Sequence, residues 1–140
     1  MISFIIKIKE INMWSDRYYY LNIYKDENLS ESVSTSKVKE LISSIPELVE
    51  SGEFEFKNRE GFPFIDGSLL NVKSTDSWSS YDVDAEKTNF IPIECAKGQE
   101  IDFDELKKVF IQIAEGLGWM LVDERTDDEI DNFVLWDASR

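Results

Sequence analysis

The chain has 140 residues, 42% of them hydrophobic and 13% aromatic, with a formal net charge of −14 from 15 basic and 29 acidic side chains. That length predicts one domain with a core that needs neither disulfides nor a structural metal, and the composition excludes intrinsic disorder. The acidity excludes direct binding to nucleic acid or to an anionic membrane, both of which need clustered Lys and Arg.

One cysteine, Cys95, rules out an intramolecular disulfide and fits a reducing compartment. No run of ~18 apolar residues occurs. The apolar N-terminal stretch is broken by Lys7, Lys9 and Glu10 and lacks a small-residue cleavage site, so it does not read as a signal peptide. A cytoplasmic protein is expected.

In chain order, Phe4, Ile6 and Ile8 alternate with Ile5, Lys7 and Lys9, the period of a half-buried strand. The aromatic and β-branched run over residues 18–25 predicts a second strand, with residues 14–17 as the hairpin loop. Residues 26–35 are polar and read as a loop. Val38, Leu41, Ile42 and Ile45 then fall at i, i+3, i+4 and i+7, one face of a helix capped by Ser34 or Thr35. Pro46 ends that helix or opens a further turn through Glu50, with Gly52 as the stop. Residues 52–58 alternate Phe54 and Phe56 with Glu53, Glu55 and Lys57 and predict another half-buried strand.

The apolar segment 62–73 predicts a strand at residues 69–73, with Gly67 marking a bulge or bend. Residues 74–87 show no period; an excursion of about 14 residues inside a compact domain is often functional. Residues 88–97 predict a strand, which Pro92 places at an edge or a bulge because it removes a ladder donor. Asp102 and Glu105 form an Asp-x-x-Glu arrangement like a capping box. Leu106, Val109, Phe110, Ile113, Ala114 and Leu117 follow on one helix face, which Gly116 and Gly118 terminate. Residues 119–124 and 132–137 predict two more strands, with Trp119 and Trp136 in the core or on a sheet face. The order ββα–βββ–αββ, without repeat or linker, predicts a single domain over residues 1–140. Its class is α+β, a mostly antiparallel sheet with two helices packed on one face.

Histidine is absent. That removes the commonest general base near neutral pH, the commonest transition-metal ligand and every imidazole-dependent nucleophile. Cys95 lies in an apolar strand pattern and reads as an inert core thiol. Asp82, Asp84 and Glu86 open like a calcium loop, but Lys87 stands where glycine is needed and Ile93 where a bidentate glutamate is needed. The stretch from Asp123 fails at its third position, Arg125. No phosphate-cradling glycine motif occurs. Carboxylates are many, and none is singled out for acid–base work by an apolar setting. The expectation is a protein that is not an enzyme, with no catalytic residue, metal or cofactor.

Charge is uneven along the chain. Residues 1–70 hold 8 basic and 12 acidic side chains, whereas residues 71–140 hold 7 and 17. Residues 123–137 alone carry seven carboxylates against one arginine. The 74–87 loop sets Trp78 and Tyr81 among acids, and interfaces favour Trp and Tyr as anchors. The expected partner-binding residues are Trp78, Tyr81, Asp82, Asp84, Glu86, Asp123, Glu124, Asp127, Asp128, Glu129 and Asp131. The alternative for Trp78 is that it folds back to plug the sheet edge.

The segments FPFIDGSLLN, TNFIPIECAK and LKKVFIQIAEGLGWMLVDE order a strand, a loop, a strand, an amphipathic helix and a W-x-L-x-D strand. This pattern resembles small bacterial immunity proteins of polymorphic-toxin and contact-dependent inhibition systems. The resemblance covers about the last 80 residues, rests on pattern and acidity, and carries over no functional residue. It implies a cytoplasmic, non-enzymatic protein that binds a cognate toxin domain and occludes its active site or an essential surface. A toxin that attacks nucleic acid is basic, so an acidic inhibitor would be drawn to it quickly. A monomer or weak dimer is expected. Two alternatives remain open. One is an acidic nucleic-acid mimic that blocks a DNA-binding enzyme, which would space carboxylates over a long surface rather than cluster them at 76–86, 100–105 and 123–137. The other is a non-catalytic adaptor or ligand-binding module.

Overall fold

The computed structural model describes residues 17–98 and 101–139. The strand expected over residues 4–9 lies outside the described residues, as do Trp14 and Glu100. In chain order the strands are β1 (Tyr18–Tyr24), β2 (Val33–Ser34), β3 (Leu48–Gly52), β4 (Glu55–Asn58), β5 (Ile65–Ser68), β6 (Lys87–Thr88), β7 (Ile91–Ala96), β8 (Met120–Arg125) and β9 (Asp131–Trp136). The helices are α1 (Thr35–Ser43) and α2 (Phe103–Leu117).

Seven strands form one sheet in the order β3-β4-β5-β7-β1-β8-β9, every neighbouring pair antiparallel. Both helices pack on one face of it, as expected for the α+β class. Leu21, Ile23, Phe56, Ile65, Ile93 and Leu121 from the sheet share one core with Val38 and Ile42 of α1 and the apolar stripe of α2. Burying each large side chain of that stripe stabilises the fold by about 1.5–3 kcal/mol. Cys95 is buried in the same core, and burial pushes its thiol well above the ordinary range. Trp119 is also buried there, and its indole N–H donates to Glu31. No helix among the described residues is long and apolar enough to cross a membrane.

Local chemistry sets the helix ends. Ser34 caps α1, its hydroxyl accepting the Lys37 amide at 3.3 Å. Asp102 caps α2 by accepting the Glu105 amide at 2.9 Å, and Gly118 closes the helix in the left-handed region at φ 72°. Gly116 does not terminate α2 but lies inside it. A Cβ there would come within 2.7 Å of the Leu41 side chain, so this glycine lets α1 and α2 approach closely.

Several expected boundaries move because strand pairing overrides local pattern. The chain after Pro46 does not make a further helical turn. Leu48–Gly52 extends as β3 and pairs with β4, so the expected strand at 52–58 is a hairpin with Glu53 and Phe54 in its turn. No strand runs over 69–73: the strand lies earlier, at Ile65–Ser68, where Ile65 pairs with Cys95 and Asp66 with Glu94 of β7, and beyond it only the single bridge Leu70–Phe90 forms. Gly67 is neither bulge nor bend. It faces Phe56 across the β4–β5 pair, and a Cβ there would overlap the Phe56 ring. Pro92 lies on β7, an interior strand, and not at an edge. It sits one residue beyond the last β5–β7 pair, Gly67–Ile93, where that ladder has ended.

The long loop is tied down at both ends. The buried Asn89 side chain accepts the Val72 amide at 2.8 Å and donates to the Val72 carbonyl at 2.9 Å. β2 and β6 form a small separate ribbon. There the Thr35 hydroxyl donates to the Asp84 carbonyl and lies 2.8 Å from the Thr88 hydroxyl. Between these ties a second, smaller core forms from Tyr24, Leu70, Val72, Phe90 and Val122.

Candidate functional site

Alternation along the strands sends one set of side chains to the helices and the other to the opposite, open face. On that open face Lys57 stands opposite Asp66, Asp66 opposite Glu94, and Glu94 opposite Tyr20, one row across β4, β5, β7 and β1. Beside this row is a hollow of about 180 Å³, lined by Tyr20, Asn22, Asp66, Pro92, Glu94 and Glu124, with Trp78 reaching in from the loop.

Like charges directly opposite each other destabilise a sheet pair, and Asp66 and Glu94 are such a pair. Among the described residues no ion pair reaches Asp66, Glu94 or Glu124, and Lys57 makes none. Neutral donors hold two of these carboxylates instead. The Asn22 side-chain nitrogen donates to Glu124 Oε1 at 3.3 Å, and the Tyr20 hydroxyl bonds to Glu94. Burial raises the Asp66 carboxyl above its ordinary value, with the Glu55 and Glu94 charges adding to it. Burial also raises Glu124, opposed by the Asn22 hydrogen bond and reinforced by the Asp123 and Asp131 charges. The Tyr20 phenol is pushed far up, first by burial and then by its bond to Glu94, so it remains a donor at neutral pH. No three of His, Cys, Asp or Glu among the described residues are grouped to hold a metal ion. A face of this kind suits an organic cation, with carboxylate acceptors beside an indole.

The residues expected from the sequence are distributed unevenly around this hollow. Trp78 folds back on to the sheet, over Phe90 and not at an edge strand. It is 38% exposed, its ring lies 5.5 Å from that of Phe90, and its remaining surface walls the hollow. Glu124 and Asp131 come together with Trp78, Thr75, Asp76 and Arg125 around a second, wider hollow of about 530 Å³. Tyr81 is 89% exposed and borders a different hollow, beside the β3–β4 hairpin. Asp82 and Asp84 hold the loop together: Asp82 accepts the Ser79 amide at 2.9 Å, and Asp84 accepts the Glu86 and Lys87 amides. Those backbone bonds keep the Asp84 carboxyl below its ordinary value. Glu86 is exposed where the loop meets α1, its carbonyl accepting the Thr35 amide.

Asp123 does not lie on a surface. It is 7% exposed, opposite Leu21 on the helix-covered side, and accepts the Arg125 amide at 3.1 Å. Burial raises its carboxyl above the ordinary value. The acidic hairpin is also partly neutralised. Lys97 pairs with Asp127, and Arg125 pairs with both Glu129 and Asp131 at 3.2 Å. Asp128 is exposed and makes no ion pair among the described residues.

Asp66, Glu94, Tyr20 and Asn22 were not singled out by the sequence reading, which followed dense acidic runs. Their signal is quieter. Asp66 and Glu94 are lone acids in strands whose neighbours, Ile65, Ile93 and Cys95, are buried. The chain matches no protein-family model and no curated protein sequence.

Proposed function

We propose that the protein is an immunity protein that binds a basic toxin domain and occludes its active site or substrate surface. The observation that carries this reading is the open sheet face. Asp66, Glu94 and Glu124 stand there without an ion-pair partner among the described residues, beside a half-exposed tryptophan. Folding gains nothing from opposed carboxylates, whereas a cationic partner turns their repulsion into attraction. A net charge of −14 also speeds encounter with such a partner. The resemblance of the sequence pattern to immunity proteins points the same way.

The test is to express the chain beside the toxin domain encoded by a neighbouring reading frame. Growth should be protected, the two proteins should co-purify, and association should slow as salt rises. Reversing the face, Glu94→Lys with Glu124→Lys, should abolish protection while the variant stays folded. Unimpaired protection by the reversed variant would move the binding surface elsewhere, and a toxin that is neither bound nor inhibited would end the immunity reading.

A further inference from the structure

We propose that the hollow under Trp78 receives an arginine side chain of the basic partner, its guanidinium stacked on the indole and bonded to Glu94 and Glu124. The inference rests on the reading of this face as a binding surface and adds the group that anchors it.

The helices occupy one side of the sheet, and the loop covers the other only over the smaller core of Tyr24, Leu70, Val72, Phe90 and Val122. Among the described residues no helix or loop covers the rest of the open side, and its charge selects a cation. Its shape selects which cation. Glu94 on β7 and Glu124 on β8 flank Tyr20 on the strand between them. Strand axes two apart are separated by about 10 Å, too far for one small ion to bridge without convergence of both side chains. With five N–H donors in a planar fork, a guanidinium needs less convergence than a point-charge ammonium to bond a carboxylate on each side.

The surroundings favour the same group. Trp78 offers a flat apolar surface on which a guanidinium stacks, and guanidinium is more weakly hydrated than ammonium, so it enters a half-buried hollow at lower cost. Asn22 and Tyr20 donate to Glu124 and Glu94, which orients the carboxylates before the partner arrives.

The experiment titrates the full chain with acetyl-arginine amide and, separately, acetyl-lysine amide, followed by amide and indole NMR. The arginine probe should move the Trp78 indole and the Tyr20, Glu94 and Glu124 amides along one saturable curve. Glu94→Gln with Glu124→Gln, which keeps size and removes repulsion, should weaken the probe about tenfold, and Trp78→Ala about fivefold. Three outcomes overturn the proposal: shifts confined to residues 126–131, equal response to both probes, or no saturable response. The broader reading is tested apart. A toxin bound equally by the parent and by the Glu94→Gln/Glu124→Gln variant leaves the immunity reading standing and removes the arginine anchor. A toxin that is not bound removes the immunity reading, while a saturable arginine response still supports the guanidinium site.

Discussion

The two faces of the sheet are made by the same strands and differ in almost every physical respect. On the helix side Leu21, Ile23, Ile65, Ile93 and Leu121 are buried against α1 and α2, and Cys95 is sealed in with them. One residue along each strand, Asn22, Asp66, Glu94 and Glu124 face the open side, around a hollow that Trp78 walls from the loop. The helix side obeys packing. The open side carries opposed like charges and partly desolvated carboxyls, which weaken a fold that has no partner. Strand alternation thus separates a packed face from a charged one, and substitutions on the two faces should have separable effects.

The largest effect should come from the helix side. Phe110→Ala removes a fully buried ring from α2 and should cost about 3–5 kcal/mol of stability, read by denaturant unfolding. A melt close to that of the parent would show that α2 is not central to the core. Gly67→Ala tests the same side at a strand. Its Cβ would overlap the Phe56 ring, and overpacking of that kind should cost about 1–3 kcal/mol.

On the open side Trp78→Ala should weaken partner binding by about 2 kcal/mol, mainly through faster dissociation. It should also lower the melting temperature a little, because the ring covers Phe90. A smaller effect is expected from pH. Asp66 and Glu124 bind protons more readily folded than unfolded, since burial lifts both above their ordinary values of 3.8 and 4.5. Their ionisation therefore opposes folding at pH 7, and that opposition fades as the pH falls through the raised values. Asp66→Asn with Glu124→Gln should melt above the parent at pH 7, with the gap narrowing towards pH 4. A constant gap across that range would mean that neither carboxyl is perturbed by the fold. The smallest effect belongs to the hairpin margin. Asp127→Lys with Asp128→Lys should slow association at low salt and leave stability within about 1 kcal/mol, because the Lys97–Asp127 pair is exposed on its acidic side.

The sequence by itself determined the α+β class, the cap at Asp102 and the buried stripe of α2, and it narrowed the α1 cap to Ser34 or Thr35 and the α2 stop to Gly116 or Gly118. Each of these depends on neighbours within a turn or two, where spacing and side-chain chemistry act directly. It also marked Trp78, Glu124 and Asp131, which the fold does bring to the rim of shared hollows. Of the other acids it marked, strand register turns Asp123 towards the helices, and Asp82 and Asp84 bond the loop's own backbone. Only the tertiary structure decided that β3 follows Pro46, that Pro92 sits on an interior strand, and that Asp66, Glu94 and Tyr20 form a row. Those three residues are 28 and 74 positions apart in sequence and meet through the order β5-β7-β1 alone. Local spacing carries no information about which strands become neighbours, because pairing is settled by the burial of the whole core.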